Sequence, residues 1–176
     1  MFKRALTLPA VILLLAVILT PAADAQESGI IQATATVLSA LTIIGNHDLQ
    51  FGTVTPGVNK SVDKASTGFA GEWLITGVTG AEISLDFTLP DSLILADSTV
   101  GMRIDFSNTD ASFSDGTGTQ VTPTGVINPN GPSAERLGAI SGEMTVWIGG
   151  TVYPDLTQTG GDYAAEVVLT IAYTGS

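Results

Sequence analysis

The 176-residue sequence contains no cysteine and only one histidine, His47. The absence of cysteine excludes a disulfide framework and a lipoprotein anchor. Beyond this one histidine there is no Ser-His-Asp, Cys-His or zinc-ligand set, and His47 is expected to be a surface turn residue after Gly45-Asn46. Its acidic residues are scattered singly and are better explained as solubilising charge than as a catalytic carboxylate pair. We therefore expect no catalytic residue, no metal site and no cofactor, in a protein that is not an enzyme.

Basic residues are scarce as well, with six Lys and Arg against seventeen Asp and Glu. Binding to a phosphate backbone requires clustered Lys and Arg, so the composition excludes nucleic acid as a partner. Attraction to an anionic membrane surface is disfavoured for the same reason.

Residues 1–25 have the pattern of a secretory signal peptide. Two basic residues precede an uninterrupted apolar run from residue 10 to residue 19, and Ala23-Asp24-Ala25 supplies small residues at the cleavage site. A run of this length is too short to cross roughly 30 Å of hydrocarbon, so we expect cleavage before Gln26, secretion to the cell surface or exterior, and no membrane insertion afterwards. The remaining chain carries four Lys and Arg against sixteen Asp and Glu, a net charge of −12.

Alternation of apolar and polar residues dominates the rest of the chain. The odd positions from 31 to 43 are mostly apolar, which predicts one long strand or two strands in tandem, hinged near Ser39-Ala40. Similar alternation and frequent turn residues farther along predict nine or ten short strands. We expect an all-β, Greek-key β-sandwich. The predicted organisation is an arm at 26–39 and a domain at 40–176.

Residues 107–136 differ from this pattern because they are rich in Ser, Thr, Gly, Asp, Asn and Pro. We expect a long polar excursion on the surface, outside the core, with one weak hairpin near 120–126. Loops of this length are usually functional or mobile. Asn59-Lys60-Ser61 is a glycosylation sequon, which makes Asn59 a candidate site for an attached glycan.

Several short segments resemble a family of bacterial secreted domains of unknown function, which is similar to spore-coat-U-type and fimbrial subunits. The segments are Ala33–Ile43, Asp48–Gly57, Trp73–Gly77, Gly149-Gly150-Thr151 and Gly161–Tyr173. The resemblance implies an immunoglobulin-like sandwich that lacks one strand. In such relatives, the N-terminal strand of the next subunit completes the sandwich.

The residues of the arm by themselves lead to two alternatives for its position. Ile31, Ala33, Ala35 and Val37 share one face, and this apolar face has to be buried somewhere. The arm could form the first strand of its own sandwich, or it could insert into the groove of a neighbouring copy. The second alternative gives a head-to-tail homopolymer, because donor and acceptor are different surfaces.

Two functions follow from these alternatives. The sequence favours a structural subunit of an extracellular, pilus-like filament or surface layer that polymerises by N-terminal strand donation. The other function is a monomeric or tip-located adhesin that binds glycans or surfaces through residues 107–136.

Overall fold

The computed structural model describes residues 27–35, 37 and 39–175. The predicted signal peptide and its cleavage site lie outside these residues. Within the described residues the fold is all-β, its sheets are antiparallel, and it is consistent with a β-sandwich. No helix in this part of the chain has the length and apolar character needed to cross a membrane.

Thirteen strands are present in the described residues. They are β1 (Thr42–His47), β2 (Lys60–Val62), β3 (Gly71–Thr76), β4 (Glu82–Thr88), β5 (Ser92–Leu95), β6 (Gly101–Asp105), β7 (Ala111–Ser114), β8 (Gly125–Ile127), β9 (Ser133–Arg136), β10 (Glu143–Ile148), β11 (Gly150–Tyr153), β12 (Tyr163–Ala164) and β13 (Val168–Tyr173). Sheet A has the order β1-β3-β10-β7-β8, sheet B the order β12-β5-β6-β11-β2, and sheet C the order β13-β4-β9.

Alternation explains why these segments form strands and where their side chains lie. Ile83 and Leu85 of β4 are completely buried, and Leu169 of β13, which lies opposite Phe87 of the same strand β4, is buried as well. The residues between them carry short polar side chains. This period of two places one apolar face of each strand in a common core.

Two chain paths pass from one sheet to another. β4 pairs with β13 in sheet C, and the strands next to them in sequence, β5 and β12, pair with each other in sheet B. These two chain segments therefore run together from sheet C into sheet B. β10 lies in sheet A and β11 in sheet B, and only Gly149 separates them. A Cβ atom at Gly149 would collide with the backbone carbonyl of Val62, so the crossing requires glycine.

The structure corrects the prediction for residues 107–136. β7 lies inside sheet A between β10 and β8, and Ala111, Phe113 and Ile127 are buried core residues. A location outside the core is therefore wrong for these strands. The polar residues around these strands favoured a surface location, but both faces of β7 are covered, so that even its two serines are buried.

The N-terminal prediction holds only for its second half. β1 begins at Thr42, and Leu41 and Ile43 pack against the core as expected. The described residues between 27 and 40 are not in a strand. Residues 36 and 38 lie outside the described part of the chain.

Candidate functional site

An open groove lies between the chain that follows β1 and the chain path through β12. Its volume is about 1290 Å³. The rims are residues 45–54 on one side and residues 158–167 on the other. The floor is largely apolar and includes Trp73, Leu93, Met102, Ile104 and Ile148.

Each rim of the groove includes a strand that has no hydrogen-bonded neighbour among the described strands on its groove side. Among the described residues, β1 pairs only with β3, β12 only with β5, and β13 only with β4. Each edge therefore presents backbone N–H and C=O groups that another strand could satisfy. The two edges face the same groove, so a single added strand could contact both.

The side chains along the groove are incompletely buried although they point inward. Tyr163, Val167 and Ile171 of the C-terminal path are only half-buried, whereas Ile83 on the neighbouring strand β4 is fully buried. Inward residues of a closed sandwich are covered from both sheets. These three side chains are therefore less covered than the inward residues of a closed sandwich would be.

One part of the groove is formed by a glycine opposite a tryptophan. Gly45 of β1 is the register partner of Trp73 on β3, and a Cβ atom built on Gly45 would lie 3.9 Å from the indole Cδ1. The indole also packs edge-on against the Phe87 ring, with centroids 6.0 Å apart. Because Gly45 has no side chain, the flank of the indole stays open to the groove.

Tyr173 holds the base of the N-terminal arm. The Val78 backbone N–H donates a hydrogen bond of 2.8 Å to the Tyr173 hydroxyl oxygen, and that hydroxyl donates to the Ser39 carbonyl at 3.3 Å. Leu41 packs against the core. The chain just before β1 is therefore fixed to β13 and to the core.

Two other sheet edges are protected against an added strand. On β2, Lys60 shares the inward face with Val62, and its ammonium group donates to the Thr53 carbonyl at 2.8 Å. The short strand β8 is flanked by Pro123 and Pro129. Inward charges and prolines discourage edge-to-edge pairing. The strands at the two rims of the groove, β1 and β12, contain neither an inward Lys, Arg, Asp or Glu nor a proline.

The arm residues singled out from the sequence are exposed. The side chains of Ile31 and Val37 are 93% and 92% exposed, and Ala33 and Ala35 are exposed as well. Ile30, one position before this set, is equally exposed. An alternating apolar face without a cover is thus present in the same chain as an uncovered groove.

The remaining candidates have separate locations. Asn59 is exposed immediately before β2, and Ser61 of its sequon shares a hydrogen bond of 2.8 Å with Thr151. Trp147 is buried on the outer face of sheet A, where its indole N–H donates to Glu72 at 2.8 Å.

The lone histidine and the buried Ser112 lie at opposite sides of sheet A. Glu72 and Trp147 lie between His47 and Ser112 in one cross-strand row. Three strand spacings separate the ends of this row, about 14 Å, so the two side chains cannot form a hydrogen bond. Within the described residues no group of three or more His, Asp or Glu is arranged to hold a metal ion.

Sequence reasoning identified the arm but not the groove residues. The Gly45-Asn46 pair is typical of a turn, but Gly45 lies within β1 and interrupts its inward row of side chains. Such a glycine signals a close approach of another backbone or side chain. Neither protein-family models nor curated proteins match this chain.

Proposed function

We propose that this protein is a structural subunit of an extracellular filament or surface layer, and that it polymerises by donating its N-terminal strand to a neighbouring copy. The observation that carries the proposal is the pairing of an uncovered groove, bounded by two free strand edges, with an exposed alternating arm. In this proposal the subunit is an incomplete immunoglobulin-like, Greek-key sandwich, and secretion follows removal of residues 1–25.

The arm is long enough to follow the C-terminal rim of the groove. The rim from Tyr163 to Val167 has five residues, about 17 Å of extended chain, and the arm from Ile31 to Val37 spans about 23 Å. Ala33 and Ala35 are small, so the middle of the strand could approach the floor closely. The large residues at its two ends would then supply most of the buried apolar area.

The chain between the arm and β1 favours donation over folding back. Tyr173 and the core hold Ser39 and Leu41, and β1 leads from there to the groove residues Gly45, Asn46 and His47. An arm lying in its own groove would have to reverse direction between Val37 and Leu41. These five residues include no Gly, Pro, Asn or Asp, and Ser39 is the only one of them that tight turns favour.

Strand donation would make the assembly open-ended. The arm and the groove are different surfaces of one subunit, so the contact is heterologous and propagates unless a rotation closes it into a ring. The excursion at 107–136, to which the adhesin alternative assigns binding, contributes β7 and β8 to sheet A. Much of it is thus needed for the fold, which favours the structural role.

Trp73 provides a direct test. In a Trp147→Phe background, Trp73 is the only tryptophan and lies in the groove. A variant without residues 26–37 should stop forming polymers, and an added peptide of residues 26–40 should shift its tryptophan emission and raise its Tm. The full-length mature chain should form ladders of increasing mass.

The controls separate the outcomes. A peptide of the same composition in scrambled order should leave both the emission and the Tm unchanged. If the truncated chain ignores the native peptide, or if the full-length chain stays a monomer at high concentration, the proposal is wrong.

A further inference from the structure

Strand β9 carries two polar groups without partners on one face of a free sheet edge. Its only strand neighbour among the described residues is β4, in the register Leu85↔Ser133 and Ile83↔Glu135. Both β9 residues therefore share the inward face of Ile83 and Leu85. The Ser133 hydroxyl oxygen is buried and has no hydrogen-bond partner. Glu135 makes no hydrogen bond or ion pair within the described chain.

These two groups are costly as they stand. A buried hydroxyl without a partner destabilises the fold, and partial burial raises the pKa of the Glu135 carboxyl. On an edge strand, an inward carboxylate also rejects most strands that could pair with it. Only a strand that offers a hydrogen-bond donor opposite the carboxylate would satisfy it.

The backbone of β9 shows which residues are available for pairing. The Leu137 N–H donates to the Ala81 carbonyl, so Leu137 directs its backbone groups toward the β4 side. In an antiparallel ladder the direction alternates, so Ser133 and Glu135 also face β4. Ala134 and Arg136 then direct their N–H and C=O groups to the free side.

We propose that β9 is a self-association surface, on which two copies of the chain pair their β9 strands antiparallel about a two-fold axis at Ala134. In this register the Ser133 side chain of each copy lies opposite the Glu135 carboxylate of the other, and rotation of the buried hydroxyl about χ1 to another staggered position lets it donate a hydrogen bond to that carboxylate. The pair is of the non-hydrogen-bonded type, in which opposed side chains are closest, with Cβ atoms about 4.5–5.5 Å apart.

The register follows from charge and from the free backbone groups. Ala134 of each copy exchanges both backbone hydrogen bonds with its counterpart, and the Arg136 N–H reaches the second copy's Pro132 carbonyl. Pro132 has no N–H to donate, so no donor is left over there. A register centred on Glu135 would place two carboxylates opposite each other, which like-charge repulsion disfavours.

This contact is independent of strand donation. A two-fold contact is isologous and pairs two chains without propagating. Combined with a head-to-tail polymer, it would join filaments side by side, and in a chain that cannot polymerise it would give dimers. A variant whose arm is blocked should therefore retain it.

Cysteine cross-linking tests the proposal in the full mature chain, which has no cysteine of its own. Residues opposite each other in a hydrogen-bonded pair have Cα atoms about 5.5 Å apart, within the range of a disulfide. On mild oxidation, Ala134→Cys should give a covalent dimer on a boiled, non-reducing gel. Ser61→Cys, on the outward face of the protected edge strand β2, is the matched control and should stay monomeric.

A second substitution tests the hydrogen bond. Adding Ser133→Ala to the Ala134→Cys chain removes an unpartnered hydroxyl from the free subunit, so its fold should be retained. The dimer yield should fall about tenfold or more, because two symmetry-related bonds to a carboxylate are lost. If Ala134→Cys gives no more dimer than Ser61→Cys, or if Ser133→Ala leaves the yield unchanged, the proposal is overturned.

Discussion

The substitution Val37→Asp should separate the stability of the subunit from its assembly. Val37 is 92% exposed in the described structure, so the free subunit loses no buried contact when the side chain changes. Surface substitutions of this kind usually change the free energy of unfolding by no more than about 0.5 kcal/mol. We expect the Tm of the unassembled variant to equal that of the unmodified chain.

In the assembled state the same substitution should be severe. Burial of a valine side chain contributes about 1.5–3 kcal/mol, and this contribution is lost. Placing an unpaired carboxylate in an apolar groove costs at least several kcal/mol more. A total of about 5 kcal/mol corresponds to a loss of binding of between about a thousandfold and ten-thousandfold.

The assay is a titration of the arm-deleted, Trp147→Phe chain with peptides of residues 26–40, followed by the emission of Trp73. Electron microscopy of the full-length variants supplies the second readout. Thr34→Asp is the matched control, since Thr34 is also exposed but belongs to the opposite parity of the arm. It should bind within a few-fold of the unmodified peptide, because its side chain would face away from the groove.

Two results would refute this reasoning. Equal losses for Val37→Asp and Thr34→Asp would show that the arm has no buried face. A fall in the Tm of the unassembled Val37→Asp chain would show that Val37 belongs to the core of its own subunit.

Three further changes have distinct expected outcomes. Gly45→Leu should fill the space beside Trp73, so calorimetry should show an unchanged or higher Tm while the arm peptide no longer binds; peptide binding at full affinity would contradict this. Gly149→Ala should destabilise the chain by more than about 1 kcal/mol in urea unfolding, because the new methyl group meets a backbone carbonyl. Hydrogen bonds from Thr117 and Thr124 lower the pKa of Asp115, so Asp115→Asn should reduce stability at neutral pH. The difference in stability between the two chains should shrink as the pH falls below the ordinary aspartate pKa of about 3.8 and then through the lower pKa of Asp115 in the folded state. A difference in urea midpoints that does not change with pH would contradict this prediction.

The sequence by itself determined several of the strands and which of their side chains face the core. Side-chain direction in a strand is a local property, so alternation in 81–89, 101–106 and 143–149 correctly indicated β4, β6 and β10. The exposed apolar arm was also visible, because its parity repeats over a few neighbouring residues. None of these inferences required knowledge of which strands pair.

Local pattern misjudged the segments whose environment depends on distant residues. β7 contains only two apolar residues, and its polar neighbours predicted a surface excursion. It is buried because β10 and β8 pair with it on both sides. Likewise, the Gly149-Gly150 step reads as a turn, whereas the chain continues there from sheet A into sheet B.

Only the tertiary structure decided that a groove lies between two free strand edges, and where it lies. The two rims of the groove, near Gly45 and Tyr163, are more than a hundred residues apart in the sequence. Whether an edge is free depends on the order of all strands in the sheets, and that order is set by long-range pairing. The same holds for β9, where Ser133 and Glu135 are ordinary polar residues until the pairing with β4 places both on the inward face of a free edge.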